Sequence, residues 1–256
     1  MESIREAGWL RGLFLIMLLI LFVCLIPVSS RGEQTEGDRE TSAGTGLSRE
    51  GEEVEAMEPY TLTTKVVDVI HDPVFEGYGR LIFPVDQTID EDLEDVDQIL
   101  TWYNNVNPER TVAVVNDLRE RAASGEQIFY DIYTDEEKAE DPWKEDTGLF
   151  FFRGDPQAPT AIINAGGGFA YVAAMHDSFP QALELAKRGY NAFALIYRPG
   201  ADTACEDLAR AIAFLHENAG ELQIDMTGYS LWGGSAGARM AAWLGSYGPA
   251  AFGGDE

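Results

Sequence analysis

Residues 226–240 read Met226-Thr-Gly-Tyr-Ser-Leu-Trp-Gly-Gly-Ser-Ala-Gly-Ala-Arg-Met240. At their centre is Gly233-Gly-Ser-Ala-Gly237, a Gly-x-Ser-x-Gly pentapeptide. An apolar, aromatic run leads in and an alanine-rich run, Ala236 to Leu244, leads out. That pattern predicts a strand, a sharp turn and a helix, the context a nucleophile elbow requires. Glycines two before and two after Ser235 would let strand and helix approach without side-chain clash. The first N–H groups of the new helix would point toward the serine and favour negative charge there.

Working outward, an alternation of strand and helix leads up to this stretch. Pro159–Asn164 is a short apolar strand running into Ala165-Gly-Gly-Gly-Phe169. Phe179–Arg188 reads as a helix, with Ser178 at its cap position. Asn191–Tyr197 is continuously apolar, as in a strand buried on both faces. Glu206–Ala219 carries Leu208, Ala211, Ile212, Phe214 and Leu215 at helical spacing. Three strand–helix alternations imply a parallel sheet wrapped by helices. Upstream, Gln127–Thr134 and Thr147–Arg153 read as two strands of a long hairpin joined by a charged turn, Asp135–Asp146.

Earlier still, Asp90–Asn105 and Pro108–Ala123 have apolar residues at helical spacing, and Gly125 closes the second. These helices could cover the site as a cap or pack on the sheet edge. Thr61–Val85, β-branched and aromatic, suggests short strands or an extended lead-in. Arg31–Glu58 is rich in Glu, Gly, Ser and Thr and reads as a disordered acidic linker. Gly12–Pro27 is an apolar run preceded by Arg5 and Arg11, which reads as a signal peptide or a membrane anchor; both readings stay open. The organisation expected is therefore 1–30 leader, 31–58 linker, 60–126 lead-in or cap helices and 127–256 core, with the core outside the cytoplasm.

The formal net charge is −26, with 45% apolar residues. So acidic a chain repels phosphate backbones, which argues against nucleic-acid binding. His71, His176 and His216 show no metal-ligand spacing with each other or with Cys205, so no metal is expected, and no cofactor either. Cys205 reads as a small buried packing residue, and Trp232 as packing on the following helix. Phe169 and Tyr171 could line an acyl pocket or pack in the core.

Two features converge on one chemistry. Acyl transfer needs N–H donors aimed at the oxyanion of a tetrahedral intermediate. The run Gly166–Gly168, after a strand expected beside the elbow strand, can turn its N–H groups inward unobstructed. The N–H of Ala236, just after the serine, would be the other donor.

On Ala165-Gly-Gly-Gly-Phe169, Gly189-Tyr-Asn-Ala-Phe-Ala-Leu-Ile-Tyr-Arg198, Asp207-Leu-Ala-Arg-Ala-Ile-Ala-Phe-Leu215 and the elbow, the chain resembles the α/β-hydrolase superfamily. It is most similar there to the hormone-sensitive-lipase-like and acetyl-esterase branch. That branch usually has His before the three glycines, where this chain has Ala165. The resemblance implies an α/β-hydrolase-type, mostly parallel sheet with helices on both faces, preceded by a small helical lead-in. It implies Ser235 as nucleophile, with Gly167, Gly168 and Ala236 giving oxyanion N–H groups. The substrate implied is a small acyl, acetyl-like ester. A hydrolase-fold peptidase and a non-catalytic, surface-tethered binding module are the alternatives.

The family places its acid and histidine after the serine. Residues 236–256 hold no histidine. The sequence is accordingly expected to be the N-terminal part of a longer hydrolase, lacking the last strands, and nearly inactive alone. The elbow strand would then lie at an exposed sheet edge.

Overall fold

A computed structural model of the chain describes residues 58–84, 90–99 and 106–254. The expected leader and nearly all of the expected linker lie outside the described residues. Among the described residues, no helix is long and apolar enough to cross a membrane.

The core is a five-stranded mixed sheet: β1 (Phe129–Asp131), β2 (Gly148–Phe152), β3 (Pro159–Asn164), β4 (Asn191–Ile196) and β5 (Asp225–Gly233), in the spatial order β1-β2-β4-β3-β5. β1 and β2 form the expected antiparallel hairpin, and β2 pairs antiparallel with β4. β4, β3 and β5 are parallel. Every residue of β2 and β4 is buried, which explains their unbroken apolar runs. Phe151 stacks on Phe193 at 4.1 Å between ring centroids, and Phe150 meets Phe179 edge-on at 4.9 Å. These ring pairs knit the hairpin to β4 and to the helix after β3.

The connections explain where a site can form. After helices α1 (Val66–Ile70), α2 (Val96–Ile99), α3 (Pro108–Ala123) and α4 (Asp135–Glu140), β3 continues through α5 (Ala174–Asp177) and α6 (Phe179–Ala186) to β4 on one side. β4 continues through α7 (Ala201–Glu217) and α8 (Ala219–Leu222), and crosses back over β3 to β5 on the other. Right-handed crossovers in opposite directions put α6 and α7 on opposite faces. The helix after β5, α9 (Ser235–Tyr247), packs with α7. β3 and β5 are therefore neighbours whose following helices depart to different faces, the topological switch point at which such sheets open a crevice. Asn164 and Gly233 are partners across the two strands, so both end level with each other. Among the described residues β5 pairs only with β3 and forms the sheet edge.

Several expectations need correction. The described part of this lead-in, 61–84, forms short helices and turns in place of strands: an α-helix at Val66–Ile70 and 3₁₀ turns at Pro73–Phe75 and Gly79–Leu81. Val66 and Val69, three apart, are buried together, and packing overrides their strand preference. The strand expected over Gln127–Thr134 is reduced to β1. The turn at Asp135–Asp146 holds an α-helix, Asp135–Glu140, whose start is a capping box between Thr134 and Glu137. α7 begins at Ala201, five residues before the expected Glu206, because Gly200 at φ +106° turns the chain directly into it. The helix at Pro108–Ala123 forms with its expected ends, capped by the Asn107 side chain. Of Asp90–Asn105, only Val96–Ile99 is described as α-helix, after a 3₁₀ turn at Leu93–Asp95.

Candidate active site at the switch point

β5 gives way to α9 within two residues. Gly234 is extended (φ −108°, ψ 147°) and Ser235, the first helical residue, has φ +48°. A non-glycine residue in the left-handed region costs about 1–3 kcal/mol and persists only where its surroundings enforce it. Here the enforcement is close packing. A methyl group on Gly233 would lie 2.3 Å from the Gly237 carbonyl carbon, and one on Gly237 only 1.9 Å from the Asn164 carbonyl oxygen. Gly233 and Gly237, two before and two after the serine, are thus required by backbone approach. Ser235 is exposed, and Ala236 and Gly237 behind it are buried.

The glycine run at the end of β3 passes through backbone conformations that L-residues rarely adopt. Gly167 has φ +132° and Gly168 +65°. Phe169 follows at φ +62°, and its carbonyl accepts from Gly200 N–H at 2.8 Å. Tyr197 donates its hydroxyl to the Ala165 carbonyl at 2.7 Å. The Phe169 ring lies parallel to Trp243 of α9, with centroids 6.2 Å apart. The loop is therefore anchored to the β4 end and to the elbow helix.

Gly166 is held separately. Its N–H donates to Asp177 Oδ2 at 2.7 Å, and its carbonyl accepts from Ala173 N–H at 3.0 Å. Among the described residues, the N–H groups of Gly167, Gly168 and Ala236 donate to no protein acceptor. The structure thus brings Ser235, Ala236, Gly167 and Gly168 to two adjacent strand ends.

Two further residues shape the site and were not anticipated. Asn164, fully buried, donates Nδ2–H to the Trp232 carbonyl at 2.9 Å, tying the end of β3 to β5. The Asp177 carboxylate lies against Gly234 as well as Gly166. A polar residue closing an apolar strand was a usable signal for Asn164. Nothing in the sequence marks Asp177 as a partner of backbone eleven residues before it and fifty-seven after it.

Trp232 and Ser178 depart from expectation. Trp232 is 47% exposed and donates to Ser230 Oγ at 2.9 Å instead of packing on α9. With His176, Asn107, Arg110, Gln181 and Arg188 it lines a cavity of about 320 Å³. Ser178 occupies the cap position of α6, but its hydroxyl donates backward to the Ala174 carbonyl, so it caps no N–H. His216 lies edge-on to Tyr229 at 5.6 Å. Cys205 is wholly buried, and burial pushes its thiol up to about 11. Among the described residues, no group of His, Cys, Asp and Glu side chains is arranged to hold a metal ion.

Residues 153–252 match the BD-FAE family model. No curated protein matches the chain. Among solved structures it is similar to esterase 2 of Thermogutta terrifontis in its apo form, at 26% identity and a TM-score of 0.35 over 39% of this chain and 41% of that one. It is also similar to an acetyl ester-xyloside bifunctional hydrolase from Caldicellulosiruptor lactoaceticus, at 30% identity and a TM-score of 0.37 over 40% of this chain and 39% of that one. The chain thus spans about two fifths of the length of these proteins. The family match runs from the end of β2 to just beyond α9, so it includes the glycine loop, the switch point and the elbow. Residues 153–252, a mostly parallel sheet with helices on both faces, are thus similar to BD-FAE domains.

Proposed function

We propose that this chain supplies the nucleophile and the oxyanion donors of a serine carboxylesterase acting on small acyl esters. The observation carrying the proposal is Ser235 at φ +48° on a strand-to-helix turn, level with a glycine loop whose N–H groups are open to a ligand. In this reading Ser235 Oγ attacks the ester carbonyl carbon and gives its proton to a base. The carbonyl oxygen becomes an oxyanion held by the N–H groups of Ala236 and of Gly167 or Gly168. Collapse expels the alcohol, which takes the proton, and leaves an acyl group on Ser235. Water then attacks that acyl carbon through a second oxyanion, releasing the acid and restoring the serine hydroxyl. The base is a histidine outside residues 236–256, which contain none. The enzyme would act outside the cytoplasm, a reading supported by the apolar run Gly12–Pro27 behind Arg5 and Arg11.

The test uses protein expressed from its full reading frame. It should release nitrophenol from p-nitrophenyl acetate and take up a fluorophosphonate probe, and Ser235→Ala should abolish both. Undiminished turnover in Ser235→Ala would refute the assignment. A folded wild-type protein that the probe never labels would favour a non-catalytic binding module. Faster cleavage of aminoacyl amides than of esters would favour a peptidase.

A further inference from the structure

The glycine loop and the elbow come from distant parts of the chain, yet an oxyanion hole needs them held within a fraction of an ångström of each other. One side chain touches both. Asp177, the last residue of α5, accepts the Gly166 N–H at 2.7 Å through Oδ2. The same carboxylate also lies against the elbow. A methyl group built on Gly234 would be 2.1 Å from Oδ2, 2.4 Å from Oδ1 and 2.6 Å from Cγ. The carboxylate therefore occupies the space that any side chain at residue 234 would need. Gly166 is clamped at both ends of its peptide framework, because Ala173 N–H also holds its carbonyl at 3.0 Å.

The clamp has a directional consequence. The Gly166 N–H is turned toward Asp177 and is not available to a ligand. The N–H groups of the next two residues, Gly167 and Gly168, are left for that role among the described residues. Their backbone angles, φ +132° and +65°, follow directly from the clamped residue. The glycine at 234 gains a reason that the pentapeptide alone does not give: its extended backbone (φ −108°) would accept most side chains, and the carboxylate is what excludes them.

We propose that Asp177 is a positioning residue that locks the oxyanion loop to the nucleophile elbow by accepting the Gly166 N–H while packed on Gly234. This rests on the serine-esterase reading of Ser235. Asp177 touches no reacting atom; it fixes the distance between the donors and the serine.

The experiment compares wild type, Asp177→Ala, Asp177→Asn, Gly234→Ala and the Asp177→Ala/Gly234→Ala pair, all expressed from the full reading frame. Active sites are titrated with a fluorophosphonate, and every rate is expressed per titrated site. Removing an oxyanion donor outright costs about a hundredfold or more, so donors left in place but misaligned should cost roughly tenfold. Asp177→Ala is expected to lose that factor in kcat/KM for p-nitrophenyl acetate. It should lose the same factor in affinity for a phenylboronic acid, whose tetrahedral serine adduct occupies the hole. Asp177→Asn, whose amide oxygen still accepts the Gly166 N–H, should stay within about threefold of wild type. Gly234→Ala displaces the carboxylate and should mimic Asp177→Ala, and the double variant should be no worse than either single one.

Fewer titratable sites with unchanged kcat/KM and unchanged boronate affinity per site would mean that Asp177 only supports folding, and would overturn the proposal. So would an Asp177→Asn variant as impaired as Asp177→Ala, or strictly additive losses in the double variant. If Ser235→Ala itself retained turnover, the esterase reading would fall and this inference with it. If Ser235→Ala is dead and the Asp177 variants are normal per site, only the positioning role fails.

Discussion

Two neighbouring strand ends in this sheet are closed by opposite means. β4 runs into Tyr197-Arg198, and there side-chain charge does the holding. Asp207, wholly buried in α7, accepts the Arg198 backbone N–H at 2.7 Å and its Nε at 2.9 Å. The same carboxylate takes the Tyr133 hydroxyl at 2.6 Å, and Arg198 Nη1 reaches Asp141 at 2.7 Å. The group thereby ties β4, α7 and the hairpin connection at one point. β3 and β5 end beside it in Gly166–Gly168 and Gly233-Gly234, where the absence of side chains lets backbone come close and Asp177 and Asn164 are the side chains that tie it. The difference teaches what each device leaves over. At the β4 end the backbone N–H of Arg198 is already engaged. At the glycine ends the N–H groups of Gly167, Gly168 and Ala236 meet no protein acceptor among the described residues, as the proposed oxyanion site requires.

The largest expected effect breaks the charged end. Asp207→Ala leaves the Arg198 guanidinium, only 8% exposed, without its buried counter-charge. Breaking such a pair costs about 3–5 kcal/mol. Urea unfolding should show the loss as a lowered midpoint with an unchanged slope. A loss under about 1 kcal/mol would mean that the cluster is held as loosely as a surface ion pair.

Next comes the corresponding blow to the glycine end. Gly237→Ala puts a methyl group 1.9 Å from the Asn164 carbonyl oxygen, a backbone atom that cannot swing aside. Overpacking of this kind costs about 1–3 kcal/mol. The elbow must open to relieve it, so fluorophosphonate labelling should fall by more than stability alone predicts. Labelling that tracks only the folded fraction would show that Ser235 does not depend on this contact.

How legible these two ends were differs for a physical reason. Glycine signals are local: a missing Cβ is written into the sequence, and Gly166–Gly168 and the pentapeptide announce where backbone must come close. The apolar runs Pro159–Asn164 and Asn191–Ile196 likewise announce buried strands. The clamp residues were not legible, because a carboxylate that meets backbone across the fold looks like any surface acid. Asp177 and Asp207 are identified only by what the topology places beside them. The β-branched segment Val66–Ile70 misled for the converse reason, since its strand preference is weaker than the packing of Val66 and Val69. The capping box at Thr134 and Glu137 was present as a Thr-x-x-Glu pattern but was hidden within a run of charges.

A finer cut within the glycine end separates shape from conformation. A methyl group on Gly167 would sit 1.9 Å from the Tyr171 carbonyl oxygen, at a φ of +132° that L-residues scarcely adopt. On Gly168, at φ +65°, it would meet nothing within 4 Å. Gly168→Ala should therefore cost only the left-handed backbone preference, about 1–2 kcal/mol, and keep its N–H in place. Gly167→Ala should cost more and distort the loop. Under the esterase reading, hydrolysis of p-nitrophenyl acetate should fall well below that of Gly168→Ala. Equal activity in the two would mean that the Gly167 geometry is not what aligns the donors.

The smallest effect concerns pH, and it should come from the side-chain end. Cys205, in the same helix as Asp207, keeps its proton to about 11 because burial, then the charges of Asp202 and Glu206, disfavour the thiolate. The unfolded thiol titrates near 9. Between these values the folded chain binds more protons than the unfolded one, so stability falls as pH rises through the window and is fully present below it. Burial also raises Tyr133, with the Asp207 charge adding to it, so a further loss sets in above pH 10. Cys205→Ala should flatten the decline from pH 9 and Tyr133→Phe only the part above 10, measured as urea midpoints at half-unit steps. Gly168→Ala leaves both Cys205 and Tyr133 in place, so it should shift the whole curve without changing its shape. A Cys205→Ala curve that still drops as steeply from pH 9 to 10 would move the alkaline sensitivity elsewhere in the chain.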